Sequence, residues 1–340
     1  MIKKALYIFI LLFTSISYSQ LSKTHYIPPL THAAEGNANA VDQWMYISTP
    51  STSPVNVSIL PVGGTAQTIT VQNNQPQKVQ ISTNGYSQLY VEANTTSQVM
   101  NNKGYIIDAD KPIYVSVRVN AGGFEGNDDS SAQAGALVTK GLDGLGRTFR
   151  VGTFNSQSNS ANFNNYLNFL SVMATEDNTT VNFTNNYTSG FVIENYSGQF
   201  PINNIQLNRG ESYVIALELK DTSTATTQDA VTRNRDGLIG TLIQSDKDIV
   251  VNSGSSNGSF HNGGARDYGI DQIVDISRVG KEYILVRGDG SDGWENILVV
   301  GHEDGTEINI YGSSNSTQTI NAGEYHLIEG DLFSSDDNMY

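Results

Sequence analysis

From residue 44 onward, apolar residues come in short runs rich in Val, Ile, Tyr, Phe and Thr, cut by Asn, Gly, Asp and Ser. Almost no window repeats its apolar positions at the helical spacing. Alternation and β-branched composition between turn-forming clusters predict strands, and the chain reads as all-β. Residues 20–43, with Pro28-Pro29, Gly36 and an Ala/Asn stretch, read as an irregular segment ahead of a β-repeat domain spanning 44–340.

The strands repeat in two alternating parts. One part runs "NFLSVMATEDNTTVNFT" at 168–184 and then "NIQLNRGESYVIAL" at 204–217. It returns as "ENILVVGHEDGTEINIYG" at 295–312 with "QTINAGEYHLIEG" at 318–330, and a worn copy occupies 44–81. Glu-Asp-Asn-Thr and Glu-Asp-Gly-Thr predict hairpins, because Asn and Gly accept the left-handed backbone that tight turns need. The other part opens on "IIDADKPIYVS" at 106–116 and on "LIQSDKDIVVNSG" at 242–254. Each reads as a hairpin around Asp-Lys, with Asp110 and Asp246 accepting backbone hydrogen bonds in the turn.

Each part offers a four-stranded antiparallel unit in roughly 40–60 residues, a period typical of stacked or radial repeats. Five units are visible and a sixth is implied beyond 340, as though the domain were cut short. The expectation is therefore a β-propeller-like ring; the alternative is tandem β-sandwiches, each made from one part of either kind.

The first residues change the picture of where the chain works. Lys3 and Lys4, an apolar run from Ala5 to Phe13, and small residues through Ser19 predict a secretory signal over 1–19. The apolar run is shorter than the ~20 residues that span a bilayer, so no membrane insertion is expected once the signal is cleaved. The chain of 340 residues has no cysteine, which excludes a disulfide scaffold. Of 19 Lys and Arg, removal of Lys3 and Lys4 leaves 17 against 34 acidic residues, a formal charge of −17. That balance excludes a nucleic-acid partner, since no basic surface offers counterion release.

These elements, "ATEDNTTV", "RGESYVIAL", "GTLIQSDKDIVVNSG" and "DYGIDQIVDISRVGKEYILV", resemble the IgGFc-binding protein N-terminal domain family over nearly all of 45–340. In the last element Asp267, Gln272 and Gly280 keep the family's pattern and Tyr283 keeps its aromatic residue. Tyr268 stands for a His, Asp271 for a Glu, Asp275 for a Pro and Val279 for a Trp. The resemblance implies a noncatalytic binding or adhesion module, secreted to the cell surface as part of a larger protein, with an extracellular protein or glycan as partner. The antibody binding that names the family is not carried over. Leader and Asn/Thr-rich strands resemble Bacteroidetes-type exported proteins, which commonly end in a type IX secretion sorting domain.

Candidate chemistry is sparse. The histidines at 25, 32, 261, 302 and 326 lack metal-ligand spacing and read as solvated or turn residues. No nucleophile elbow or phosphate loop occurs, and 34 acids form carboxylate pairs by chance, so no enzyme is expected. Three acidic, Gly-containing loops are compatible with calcium: "GGFEGNDDSS" with Asp128 and Asp129, "GSSNGSFHNGGARD" at 254–267, and "GDGSDGWEN" with Asp289 and Asp292. The loop "NGGARDYGIDQ" supplies the candidate ligand-binding residues Asp267, Asp271 and Gln272. Trp44 and Trp294, beside unit starts, read as packing residues rather than a carbohydrate platform.

Overall fold

The computed structural model describes residues 20–32, 40–120, 134–153, 167–187, 191–218, 236–258 and 267–340. The signal segment 1–19 and the candidates Asp128 and Asp129 lie outside these residues. Every regular element longer than a single turn among them is a strand, as the alternating pattern predicts.

The first copy of the repeat comprises β1 (Ser22–Ile27), β2 (Leu30–Thr31), β3 (Asp42–Ser48), β4 (Val55–Pro61), β5 (Gln67–Val71), β6 (Gln77–Ser82), β7 (Tyr90–Val91), β8 (Val99–Met100), β9 (Tyr105–Asn120) and β10 (Ala134–Val138). The second comprises β11 (Gly146–Arg150), β12 (Leu167–Ala174), β13 (Thr179–Thr184), β14 (Ile202–Leu207), β15 (Ser212–Glu218), β16 (Leu242–Gly258) and β17 (Asp267–Ile273). The third contains β18 (Leu285–Val286), β19 (Ile297–Val300), β20 (Thr306–Tyr311), β21 (Asn315–Ile320), β22 (Tyr325–Ile328) and β23 (Asn338–Met339). The segment expected to be irregular, 20–43, instead carries β1, β2 and the start of β3. Its prolines sit between β1 and β2, where no ladder bond is lost.

The two Asp-Lys stretches are not hairpins. Each lies inside one long strand, β9 or β16, that bends and serves two sheets. The first leg of β9 pairs with β1 and β4, and its second leg pairs with β3 and β10. β16 does the same with β11 and β13, then with β12 and β17. At the bend Ser22 faces Ile113 and Thr24 faces Asp108, so Ala109–Pro112 bulge opposite Lys23 alone. Likewise Gly146 faces Ile249 and Thr148 faces Gln244, leaving Ser245–Asp248 opposite Arg147. Such an insertion turns a strand and strands its backbone groups, so a proline is tolerated there; Pro112 stands where the second copy has Asp248.

Matching side chains satisfy both bends. Thr49 Oγ1 donates to Pro112 O at 2.8 Å, and Thr175 Oγ1 donates to Asp248 O at 2.6 Å. Lys111 Nζ bonds Ser53 Oγ, and Lys247 Nζ bonds Asp177 O, each in the loop between the flanking strands. Asp246 Oδ1 accepts from Thr180 N at 2.8 Å, the backbone bond expected of it but from a neighbouring strand, whereas Asp110 Oδ2 accepts from the Asn56 side chain at 3.2 Å.

The turn residues were read correctly and their strands were not. Asn178 (φ 55°) and Gly305 (φ 69°) take the left-handed conformation, and Asp177 and Asp304 accept the Arg209 and Ala322 amides at 3.0 Å. Yet β12 and β13 do not pair with each other. The turn carries the chain from one sheet to the facing one, and the Gly210 turn carries it from β14 to β15 in the same way.

Each complete copy is thus one sheet folded over about its long strand, β5-β4-β9-β3-β6 in the first and β14-β13-β16-β12-β15-β8 in the second. β8 pairs with β15 and also lies near β14, so the second sheet is nearly a closed barrel. These sheets join one part of the repeat to the next, as the sandwich alternative supposed, and do not form separate propeller blades. In the third copy β23 pairs with β18, and Tyr340 exchanges both backbone bonds with Tyr311. β23 therefore begins where the long strand begins in the other two. The inward residues of β19 and β20 are half-buried, except Ile310.

Inside the first copy Met45, Ile47, Val57, Ile59, Ile107 and Val115 form one core, and Leu170, Val172, Val181, Phe183, Ile215 and Val251 form another in the second. The copies also share a core: Phe169, Val214, Ala216 and Ile270, on the outer face of the second copy, pack with Leu30, Leu89 and Tyr90 of the first. Burying one large apolar side chain is worth about 1.5–3 kcal/mol, so this junction holds the copies as one body.

Candidate functional site

The predicted ligand-binding residues sit on β17, which runs beside β10 of the first copy. The close approach demands a glycine: a Cβ on Gly135 would lie 2.5 Å from Tyr268 Cβ. Asp267 Oδ1 accepts from Ala134 N at 2.8 Å. Asp271 Oδ1 pairs with Lys140 Nζ at 2.8 Å and also accepts from Gln272 N. Gln272 is buried; its Oε1 accepts from Lys140 N at 2.7 Å, and its Nε2 donates to Tyr26 O at 3.0 Å and Asn252 Oδ1 at 3.3 Å. The three residues come together, and their bonds tie the second copy to β1, β10 and the turn after β10.

Asp275 ties the turn after β17 to β11 within the second copy. Its Oδ2 accepts from Arg147 N and Thr148 N, each at 2.8 Å, and its Oδ1 accepts from Ser277 N at 2.8 Å. Burial by itself would raise this carboxyl, but the Ser277, Thr148 and Arg147 bonds outweigh it and hold the group below its ordinary value. Asp275 caps the short 3-10 turn Ile276–Arg278.

His25 belongs to the same region and was missed. It is buried, not solvated, with Nδ1 2.5 Å from Thr139 Oγ1 and Nε2 3.0 Å from Ile113 O. Burial lowers its pKa against the opposing backbone bonds, so the ring is neutral. Only its place in the alternation of "SKTHYI", inward with the apolar residues, could have signalled this. His32 is also buried, stacked on Tyr86 at 4.9 Å and edge-on to Tyr90 at 4.8 Å.

In the third copy Asp292 Oδ1 pairs with Arg287 at 2.6 Å. Glu295, which was not singled out, closes the Gly-rich loop by accepting from Gly290 N at 2.9 Å and Gly288 N at 3.1 Å. Among the described residues no three His, Asp or Glu side chains come together to hold a metal ion, and Asp289 and Asp292 join no such group.

A second surface was not foreseen, since Trp44 read as a packing residue. In "DQWMYIS" Met45 and Ile47 face the core, so Trp44 and Tyr46 face outward. Lys78 Nζ lies 3.8 Å from the centre of the Trp44 ring and 5.7 Å from that of Tyr46, and the Arg118 guanidinium lies 4.9 Å from that of Tyr46. Trp44 Nε1 donates to Asp42 Oδ1 at 2.6 Å, which fixes the indole. The residues on β6 and β9 were missed because no local pattern announces a cross-strand cluster.

The structure defines an all-β protein of tandem copies, of which the first two are curled sheets, each folded about a long strand and locked to the other. The family model described as IgGFc binding protein matches residues 134–340, and the chain belongs to that family. No curated protein matches it. The match starts at β10 and covers the second and third copies, less than the span the sequence motifs suggested. The first copy, which lies outside the match except for β10, has corresponding pairings about its long strand. Among the described residues no helix is long and apolar enough to cross a membrane.

Proposed function

We propose that this chain is an exported, noncatalytic binding module that works in adhesion at the cell surface as part of a larger protein. Membership of a family described as a binding protein supports it. The observation that carries it is the use made of the polar groups on β17. Gln272 and Asp271 are spent on locking copies together, which leaves other surfaces of the module to meet a partner. The partner class is an extracellular protein. A fragment covering 20–340, screened against surface proteins and a glycan array, should retain a protein ligand. A fragment that retains nothing is a spacer, and hydrolysis lost on replacing an acidic pair would make the chain an enzyme. Export predicts a mature N-terminus at or near Gln20, read by N-terminal sequencing of the secreted protein.

A further inference from the structure

We propose that the outer face of the third copy around Ile284, Val286, Tyr311 and Tyr340 docks the first copy of a second molecule of this chain, so that molecules join head to tail. The proposal goes beyond the binding-module reading and does not depend on it. The four residues are 76%, 77%, 48% and 45% exposed and share one face. Leu285, Ile310 and Met339 point into the core of the third copy, so their neighbours point out. A contiguous apolar group left open in this way marks a contact surface.

The two junctions inside the molecule show what covers such a face. On the first leg of the first copy, Tyr26 and Leu60 flank Ile106 on the outer side. All three pack with Met173 and Val250 on the outer face of the second copy. The corresponding residues of the second copy are Arg150, Thr184 and Leu242. There Arg150 Nε donates to His302 Nδ1 of the third copy at 3.4 Å, and a Cβ on Gly152 would lie 3.8 Å from Leu298 and 3.9 Å from Val300. Both junctions set the first-leg face of one copy against the face carrying β12 or β19 of the next.

In the third copy "EDGTEINIY" aligns Tyr311 with Thr184 of "EDNTTVNFT". Tyr340 pairs with Tyr311 as Leu242 does with Thr184, and the pairing of Leu285 with Met339 puts Ile284 beside Tyr340. Ile284, Tyr311 and Tyr340 therefore hold the places of Tyr26, Leu60 and Ile106, and Val286 holds that of Gly152. The third copy repeats the apolar chemistry of the first copy's junction, with its two tyrosine rings already stacked at 5.8 Å. The other half of the contact lies on the first copy. Met173 pairs with Val250, and the same cross-strand pair there is Ser48 with Tyr114, whose ring is 39% exposed. The molecule thus presents the two unlike halves of one interface at its first and third copies. Unlike halves make a heterologous contact, which builds rings or filaments.

The test is sedimentation velocity of the full chain over a concentration series. Wild-type protein should assemble beyond the dimer as concentration rises. Salt should strengthen assembly, since an apolar contact joins chains with 34 acidic residues against 19 basic ones. Ile284→Asp and, at a second position, Val286→Asp should each weaken association about tenfold or more at unchanged melting temperature. Tyr114→Asp should do the same from the other half. Val192→Asp, the same kind of change at an exposed site in the second copy, should assemble as wild type. Mixing Ile284→Asp with Tyr114→Asp should restore a dimer and nothing larger, because each variant keeps one intact half. A monomer at every concentration, or assembly that survives both Ile284→Asp and Val286→Asp, overturns the proposal. Dimers that persist in Tyr114→Asp overturn it in favour of a symmetric contact between third copies. A surface protein captured by a monomeric chain through Ile284 also overturns it, and leaves the binding-module reading standing.

Discussion

The first and second copies share a strand plan and have opposite outer faces. Their bends set the correspondence: Ile113 matches Ile249, and from the pairings of β3 and β12 Trp44 then matches Phe169. Continuing across the sheet, Lys78 matches Val214, Gln80 matches Ala216, Arg118 matches Gly254 and Ala136 matches Ile270. In the second copy these positions are apolar or small and buried against the first copy. In the first they are aromatic, cationic, polar or small and lie outside that core. Strand pairing therefore belongs to the fold, while the outer residues decide whether a sheet meets protein or solvent. The pattern was visible in the strands themselves. "LNFLSVMA" is largely apolar on both faces and is buried throughout, whereas "DQWMYIS" alternates a core face with an aromatic and polar one.

The largest test of this contrast is a pair of truncations at one equivalent site. Phe169→Ala should cost about 3–5 kcal/mol in urea unfolding, because it opens a cavity in the shared core. Trp44→Ala should cost about 1 kcal/mol, the worth of exposed cation–ring contacts and one surface hydrogen bond. Equal losses would mean that the first copy's face is covered after all.

The next pair is Gln272 and its counterpart Val138, which the register places at the same point on β17 and β10. Gln272→Ala should destabilise by about 1–3 kcal/mol, since it leaves the Lys140 amide and Tyr26 carbonyl without their partner. Val138→Ala should change stability by about 0.5 kcal/mol or less, as exposed substitutions do. Glycans, calcium and EDTA should leave the Gln272→Ala melting temperature where it is; recovery with any of them would return this loop to ligand binding.

A third contrast lies between His25 and Phe149, equivalent inward residues on β1 and β11. His25 has a folded pKa lowered from 6.5, so the unfolded chain takes up its proton first. Its contribution is complete above 6.5 and is lost as pH falls through that value toward the folded pKa. The slope cannot exceed about 1.4 kcal/mol per pH unit for one proton. His25→Phe, the second copy's solution, should flatten the stability curve just below 6.5, measured by denaturant midpoints across pH. Asp275 and Asp246, also lowered, act in a separate window: their stabilisation is present above the ordinary carboxylate value of 3.8 and disappears as pH falls below it. The smallest effect expected is that of Asp271→Asn. The Lys140–Asp271 pair is partly exposed, so its loss should cost under about 1 kcal/mol and vanish at high salt.

What the sequence by itself determined is local: the all-β class, the turn positions and the repeat. Asn178, Gly210, Gly305 and Gly323 adopt positive φ as their residue types suggest, because turn geometry depends on a few neighbouring residues. The tertiary structure alone decided which sheet each leg of a turn joins, that Asp-Lys marks a bulge and not a hairpin, and that Gln272 and His25 are buried in a joint. Those outcomes depend on partners far along the chain, such as Thr139 for His25 and Tyr26 for Gln272. A turn motif satisfies its own backbone and is blind to such partners. Burial and pairing are settled only when the long strand bends, brings two sheets face to face, and sets one copy against the next.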